Sequence, residues 1–150
     1  MEEGEASVKD TIAQFTFLNN RTYYTISSLI DGTASLFFTR TGANDPNFNL
    51  RREPAFIIRK NGSGQSFISV IEIHGKFDPV IEFSTNSYSA VQKMKLLENG
   101  DSSLIEIIIN GKRLLIAQSN KDFNKTTKHS VKEISWTGPF AILYDGKFLK

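Results

Sequence analysis

The sequence predicts an all-β fold, an antiparallel β-sandwich of about ten short strands. Three observations predict it. Short runs of β-branched and aromatic residues recur along the chain, as half-buried strands require. Turn residues separate them at fairly regular spacing. No stretch carries a convincing amphipathic helical pattern.

In chain order, "QFTFL" (14–18), "TYYTISSLI" (22–30) and "TASLFFTR" (33–40) read as strands divided by "NNR" and by Asp31-Gly32. Asp-Gly between two such runs predicts a two-residue hairpin, because both positions tolerate positive φ. An irregular stretch follows, "RTGANDPNFNLRREP" (40–54), and then "AFIIRK" (55–60), "NGSG" and "SFISVIEIHG" (66–75). "PVIEFS" (79–84) comes after an Asp-Pro break. Residues 88–97 have helical propensity. Val91, Lys93 and Lys95 alternate with Gln92, Met94 and Leu96, however, which predicts a strand over 91–98 with one dry face. "SLIEIIIN" (103–110) and "KRLLIAQS" (112–119) meet at Asn110-Gly111, a strong hairpin signal. The polar loop "KDFNKTTKHS" leads to strands at 131–136 and 140–149. Residues 13–150 are expected to form one sandwich domain, with 1–12 as a linker or an artificial start.

The 150 residues are enough for one domain with a sizeable core. Apolar residues make up 39% and charged residues 23%, which is ordinary for a soluble globular protein, and a net charge of +2 neither demands nor forbids a polyanion. There is no cysteine, which removes disulfides, thiolate catalysis and zinc-thiolate sites. No apolar run is long enough for a membrane-spanning helix. "MEEGEASVKD" is acidic and polar, unlike a secretory leader, so the chain is either cytosolic or a piece of something longer.

No nucleophile elbow, phosphate-binding loop or metal-binding helix motif is present. "NGSGQS" joins two strands and opens no helix, which removes a phosphate cradle. Glu72 and His74, two apart on a strand, share a face and either point together into a groove or form a solvated pair at a strand end. His129 reads as a loop residue. Arg40, Arg51, Arg52, Arg59 and Lys60 bracket the irregular stretch, and arginine binds carboxylates in a two-pronged way. Asn44, Asn47 and Asn49 carry amides that both donate to and accept from sugar hydroxyls. That loop either grips an acidic carbohydrate, or its Asn and Asp side chains bond their own backbone while Phe48 plugs the core. Single-stranded nucleic acid would need exposed aromatics interleaved with basic residues. Tyr23, Tyr24, Phe37 and Phe38 are not so arranged, and no nucleic-acid partner is expected.

"FFTRTGANDPNFNLRREPAFIIRK", continuing through "FISVIEIHGKF", resembles the C-terminal β-sheet region of heparinase II/III-like polysaccharide lyases. The likeness is strongest to the alginate and oligoalginate lyase branch. It rests on Gly42 to Arg51, with a strand and then Glu72 to Gly75 after it, and extends over roughly residues 30–145, more loosely at "SWTGPFAILYDG". The resemblance implies β-elimination in a uronate polymer: a base takes the C5 proton, an acid protonates the departing O4, and the carboxylate is neutralised.

It also implies that the acid and base lie in an upstream α/α-barrel absent from this chain. No catalytic residue, metal or cofactor is therefore expected here, and a periplasmic or secreted location is. The residues it carries over are Asn44, Asp45, Asn47, Asn49 and Arg51, which touch substrate or scaffold the interface with the barrel. Glu72 and His74 are carried over to a strand end facing the cleft, where Glu72 would restrict binding to chain ends. Arg40 is a carboxylate partner by its chemistry. The expected partners are an acidic polysaccharide or oligosaccharide and the barrel itself. A free-standing module that binds acidic carbohydrate is the alternative.

Overall fold

The computed structural model describes residues 5–9, 11–43 and 51–149, with side chains over 11–40 and 54–149. Among them there is no helix, and every strand pair is antiparallel, in agreement with the predicted all-β class. Two compact units divide the chain at Ser89/Ala90.

The first unit holds β1 (Glu5–Lys9), β2 (Ile12–Asn19), β3 (Thr22–Leu29), β4 (Ala34–Ala43), β5 (Arg51–Lys60), β6 (Ser69–Asp78) and β7 (Phe83–Thr85). Its five-stranded sheet runs β1-β2-β3-β6-β7, and β4-β5 form a separate two-stranded ribbon. Glu5–Lys9, within the stretch read as linker, pairs with β2. Asn20 and Arg21 take φ values of 48° and 65°, the left-handed pair that a tight hairpin needs, and they join β2 to β3.

Period-two alternation gives this sheet one apolar and one polar face. Phe15, Phe17, Tyr24, Ile26, Ile71 and Ile73 share the apolar face by register. The ribbon packs there, with Phe38 and Phe56 at 5.8 and 6.3 Å from the Phe15 ring. Two strands cannot cover five. Ile71 and Ile73 on β6 remain 69% and 68% exposed, and Phe83 on β7 57%.

The predicted Asp31-Gly32 hairpin does not form: β3 pairs with β6, and β4 crosses to pair with β5. Asp31 instead makes a corner. Its carboxylate accepts from the Thr33 N–H at 3.0 Å, the Thr33 hydroxyl at 2.5 Å and Lys60 Nζ at 2.7 Å. Lys60, with only 5% of its side chain exposed, also donates to the Ser66 carbonyl. The Lys60 bond and the two Thr33 bonds lower the Asp31 pKa from 3.8 to about 2. Because the folded-state value is depressed, this contribution to stability is full above about pH 4 and is lost as pH falls through 2. Half of the Asp31 carboxylate faces solvent, so Asp31→Asn should cost about 1 kcal/mol at neutral pH after screening. Denaturant titrations should show the two proteins converging as pH falls from 4 to 2.

The second unit holds β8 (Val91–Asn99), β9 (Ser102–Ile109), β10 (Lys112–Ser119), β11 (Lys128–Val131), β12 (Ile134–Thr137), β13 (Phe140–Tyr144) and β14 (Lys147–Phe148). The sheet order is β14-β13-β10-β9-β8, with β11-β12 as a ribbon. Leu104, Leu115 and Ala117 on one face pack with Val131 and Trp136 of the ribbon, and Leu97, Ile134, Ala141 and Leu143 close around them. The other face buries Met94 and Ile107. The predicted Asn110-Gly111 hairpin is present, with φ of 50° and 74°.

Residues 91–99 are a strand, as predicted, but bulges at Val91/Lys93 and Leu96/Glu98 break its simple alternation. Val91 and Met94 are therefore buried together, three positions apart. The predicted strands at 131–136 and 140–149 each prove to be hairpins. Lys132 at φ 52° turns the first, and Asp145-Gly146 at 50° and 80° the second. The predicted strand over 79–84 shrinks to β7, because the Asp78 carboxylate caps the Val80 N–H and Glu82 takes φ 50°.

Candidate functional site

The polar face of the first unit's sheet is the candidate site. The register places Tyr23 opposite His74 and Thr25 opposite Glu72, with Thr16 opposite Thr25 on the next strand. Glu72 and His74 share the polar face of β6, both half-buried, at positions where β6 pairs with β3 and β7 does not extend, since β7 pairs only with Lys76, Phe77 and Asp78.

Each His74 nitrogen has a partner. Nδ1 lies 2.7 Å from the Asn86 carbonyl, which can only accept, so Nδ1 carries the proton. In the neutral ring Nε2 then accepts from the Thr25 hydroxyl at 2.8 Å. The Thr25 oxygen in turn receives the Thr16 hydroxyl at 2.7 Å. This directional chain passes through Thr25, which is fully buried, and ends on the partly buried Thr16. The Tyr23 ring stacks on the imidazole with centroids 6.2 Å apart, and its hydroxyl meets Ser84 Oγ at 2.6 Å. Ser89 Oγ donates to Glu72 Oε2 at 2.6 Å.

Gly75 makes the arrangement possible. It sits at φ 53° where the β3-β6 register slips, and it brings the backbone after β7 against His74. A Cβ at this position would collide with the Thr85 and Asn86 carbonyl oxygens. Only glycine fits.

The other predicted residues are placed elsewhere. Arg40 is exposed on the ribbon, opposite Pro54. Lys60 lies six register positions further along, roughly 20 Å by strand rise, and is engaged by Asp31, so it does not join Arg40 in one cluster. Arg51 pairs with Ala43 through its backbone. Asn44, Asp45, Asn47 and Asn49 lie outside the described residues. Tyr24 is on the apolar face, stacked on Phe17 at 5.4 Å. His129, read as a loop residue, lies on β11 opposite Trp136. Thr16, Thr25, Ser84, Asn86 and Ser89 were not singled out from sequence. The available signal was that Thr16 of β2 and Thr25 of β3 fall at polar positions of the period-two pattern.

Chemically this site is a pinned polar cluster with no exposed acid-base pair evident. Both ring nitrogens of His74 are occupied, so it cannot move a substrate proton without first breaking one of its own bonds. Among the described residues no group of three His, Cys, Asp or Glu is placed to hold a metal ion. Among the described residues no helix is long and apolar enough to cross a membrane.

The chain is related to a region of alginate lyases. It is 31% identical over 141 residues to the exo-oligoalginate lyase of Saccharophagus degradans, an alignment covering 89% of this chain and 19% of that protein. It is 32% identical over 111 residues to the alginate lyase of Stenotrophomonas maltophilia, covering 73% of this chain and 15% of that protein. The chain thus spans under a fifth of the length of these curated relatives. No protein-family model matches it.

Proposed function

We propose that this chain is the non-catalytic C-terminal β-sheet region of a heparinase II/III-like lyase that cleaves alginate or its oligomers by β-elimination. The observation that carries the reading is the open apolar strip of Ile71, Ile73 and Phe83, which leaves a sheet face uncovered in the way a docking domain does. Two further facts support it. The relatives are more than five times the aligned length, which leaves room for a catalytic body, and the one histidine of the polar cluster has both nitrogens engaged.

In this reading the strip packs on the catalytic α/α-barrel. The polar face carrying Glu72 shapes one wall of the cleft, and the Asn44–Arg51 loop scaffolds that contact or meets the polymer. Work outside the cytoplasm suits such a substrate. A free-standing module would instead cover its apolar faces, which the exposure of Ile71 and Ile73 disfavours.

An ultraviolet assay of the full-length polypeptide for unsaturated uronate, on alginate, heparan sulfate and chondroitin, tests the assignment. Alginate or oligoalginate should be cut. Cleavage confined to heparan sulfate or chondroitin would reject it.

A further inference from the structure

Charge is divided unevenly along the chain. Residues 1–89 carry eight Lys and Arg against ten Asp and Glu, whereas residues 90–150 carry ten against six. The excess of cations thus belongs to the second unit, not to the arginine-rich stretch at 40–59. A polyanion is drawn to where such charges cluster rather than to the net value.

Strand register gathers three of these cations on one face of the second unit's sheet. Lys93 of β8 is opposite Ile108 of β9, and Ile108 is opposite Arg113 of β10. Two residues along, Lys95 is opposite Glu106. Directly opposed residues share a face, and so do residues two apart on one strand. Further along this same face the β11-β12 ribbon covers Leu104, Leu115 and Ala117. Lys112 belongs to the other face, where its ammonium lies over the Tyr144 ring.

Arg113 is held in place. Its Nε donates to Glu106 Oε1 at 2.5 Å, and the Glu106 side chain is only 16% exposed against 54% for Arg113. A mostly buried carboxylate on one edge fixes the guanidinium plane and leaves the terminal Nη groups as donors. Lys93 and Lys95 are exposed and have no ion-pair partner among the described residues. Lys93 and Arg113 stand two strands apart, about 10 Å, with the half-buried Ile108 between them. Glu98, a second carboxylate of this face, is opposite Leu104 and about 13 Å from Lys93 by strand rise.

We propose that the Lys93–Ile108–Arg113 row binds an acidic sugar chain, as a glycan-binding face separate from the Glu72–His74 cluster. The geometry asks for an extended polymer with carboxylates on successive residues; the choice of a uronate rests on the proposed function. The Arg113 Nη groups grip one carboxylate in a two-pronged way, Ile108 meets the C–H face of a sugar ring, and Lys93 and Lys95 neutralise a neighbouring carboxylate. Glu106 is a positioning residue that acts through Arg113. Single-stranded nucleic acid, the other extended polyanion, stacks its bases on aromatic side chains, and β8, β9 and β10 carry none.

Calorimetric titration of the whole chain with trimeric oligoalginate tests the face. Binding should saturate and weaken with salt, and neutral maltotriose should give no heat. Arg113→Ala should lower the affinity at least tenfold, and Arg113→Lys nearly as much, because the charge remains but the fork is lost. Lys93→Ala should lower it about threefold. Lys112→Ala removes the same charge from the opposite face and should change nothing. Glu106→Gln separates a positioned guanidinium from a merely basic surface: the proposal predicts weaker binding, whereas simple charge attraction predicts tighter. No binding, equal losses in Lys112→Ala and Arg113→Ala, tighter binding in Glu106→Gln, or an oligothymidylate that binds as well as oligoalginate would each overturn the site. Binding at this face with no uronate cleavage by the full-length polypeptide would sink the lyase assignment and leave the face standing; cleavage without binding here would do the reverse.

Discussion

Gly75→Ala should destabilise the first unit by about 3 kcal/mol. The substitution places a side chain at φ 53°, which costs about 1–2 kcal/mol for an L-residue. It also drives a methyl into the Thr85 and Asn86 carbonyls, backbone atoms that cannot swing aside, and such overpacking adds about 1–3 kcal/mol. To relieve the clash the segment after β7 must move, and the Asn86 acceptor of His74 goes with it. Denaturant unfolding measures the first effect. The imidazole nitrogen shifts in NMR measure the second, with loss of the fixed Nδ1–H signature expected. A variant with unchanged stability would show that Gly75 is not held against Asn86.

Ile71→Glu with Ile73→Glu should have the largest effect on function and almost none on the isolated fold. Both side chains already face solvent, so stability of this region should change by less than about 0.5 kcal/mol. Under the proposed function the same positions would bury against the catalytic body of the full-length polypeptide. Each isoleucine is worth about 1.5–3 kcal/mol when covered, so association should weaken by ~100- to 10,000-fold. The full-length double variant should therefore show loosened domains by limited proteolysis and lose most of its activity. Retained activity and proteolytic resistance would place the docking face elsewhere.

These residues also show what the sequence could convey. Period-two patterning identified the strands, and Asn110-Gly111 fixed a hairpin because its two flanking runs belong to the same sheet. Asp31-Gly32 carries the same local signal between strands of different sheets, and the partner of a strand is set by long-range burial rather than by its turn. Lys132 and Glu82 take left-handed conformations that their residue types do not advertise, so the hairpin at 131–136 and the shortened strand at 79–84 were not legible. Glu72 and His74 were found together because their shared face needs only their spacing. Their hydroxyl and carbonyl partners come from β2, β3 and the segment after β7, and only the strand register brings these together.

The most direct test of the account is a split-protein lyase assay on alginate. The 150-residue region, the remainder of the full-length polypeptide and a mixture of the two would be followed by unsaturated uronate absorbance. A silent region, a weak remainder and restored activity in the mixture are predicted. Cleavage by the region alone would contradict the account and turn attention to Tyr23, Glu72 and His74; full activity of the remainder alone would contradict its role in shaping the cleft.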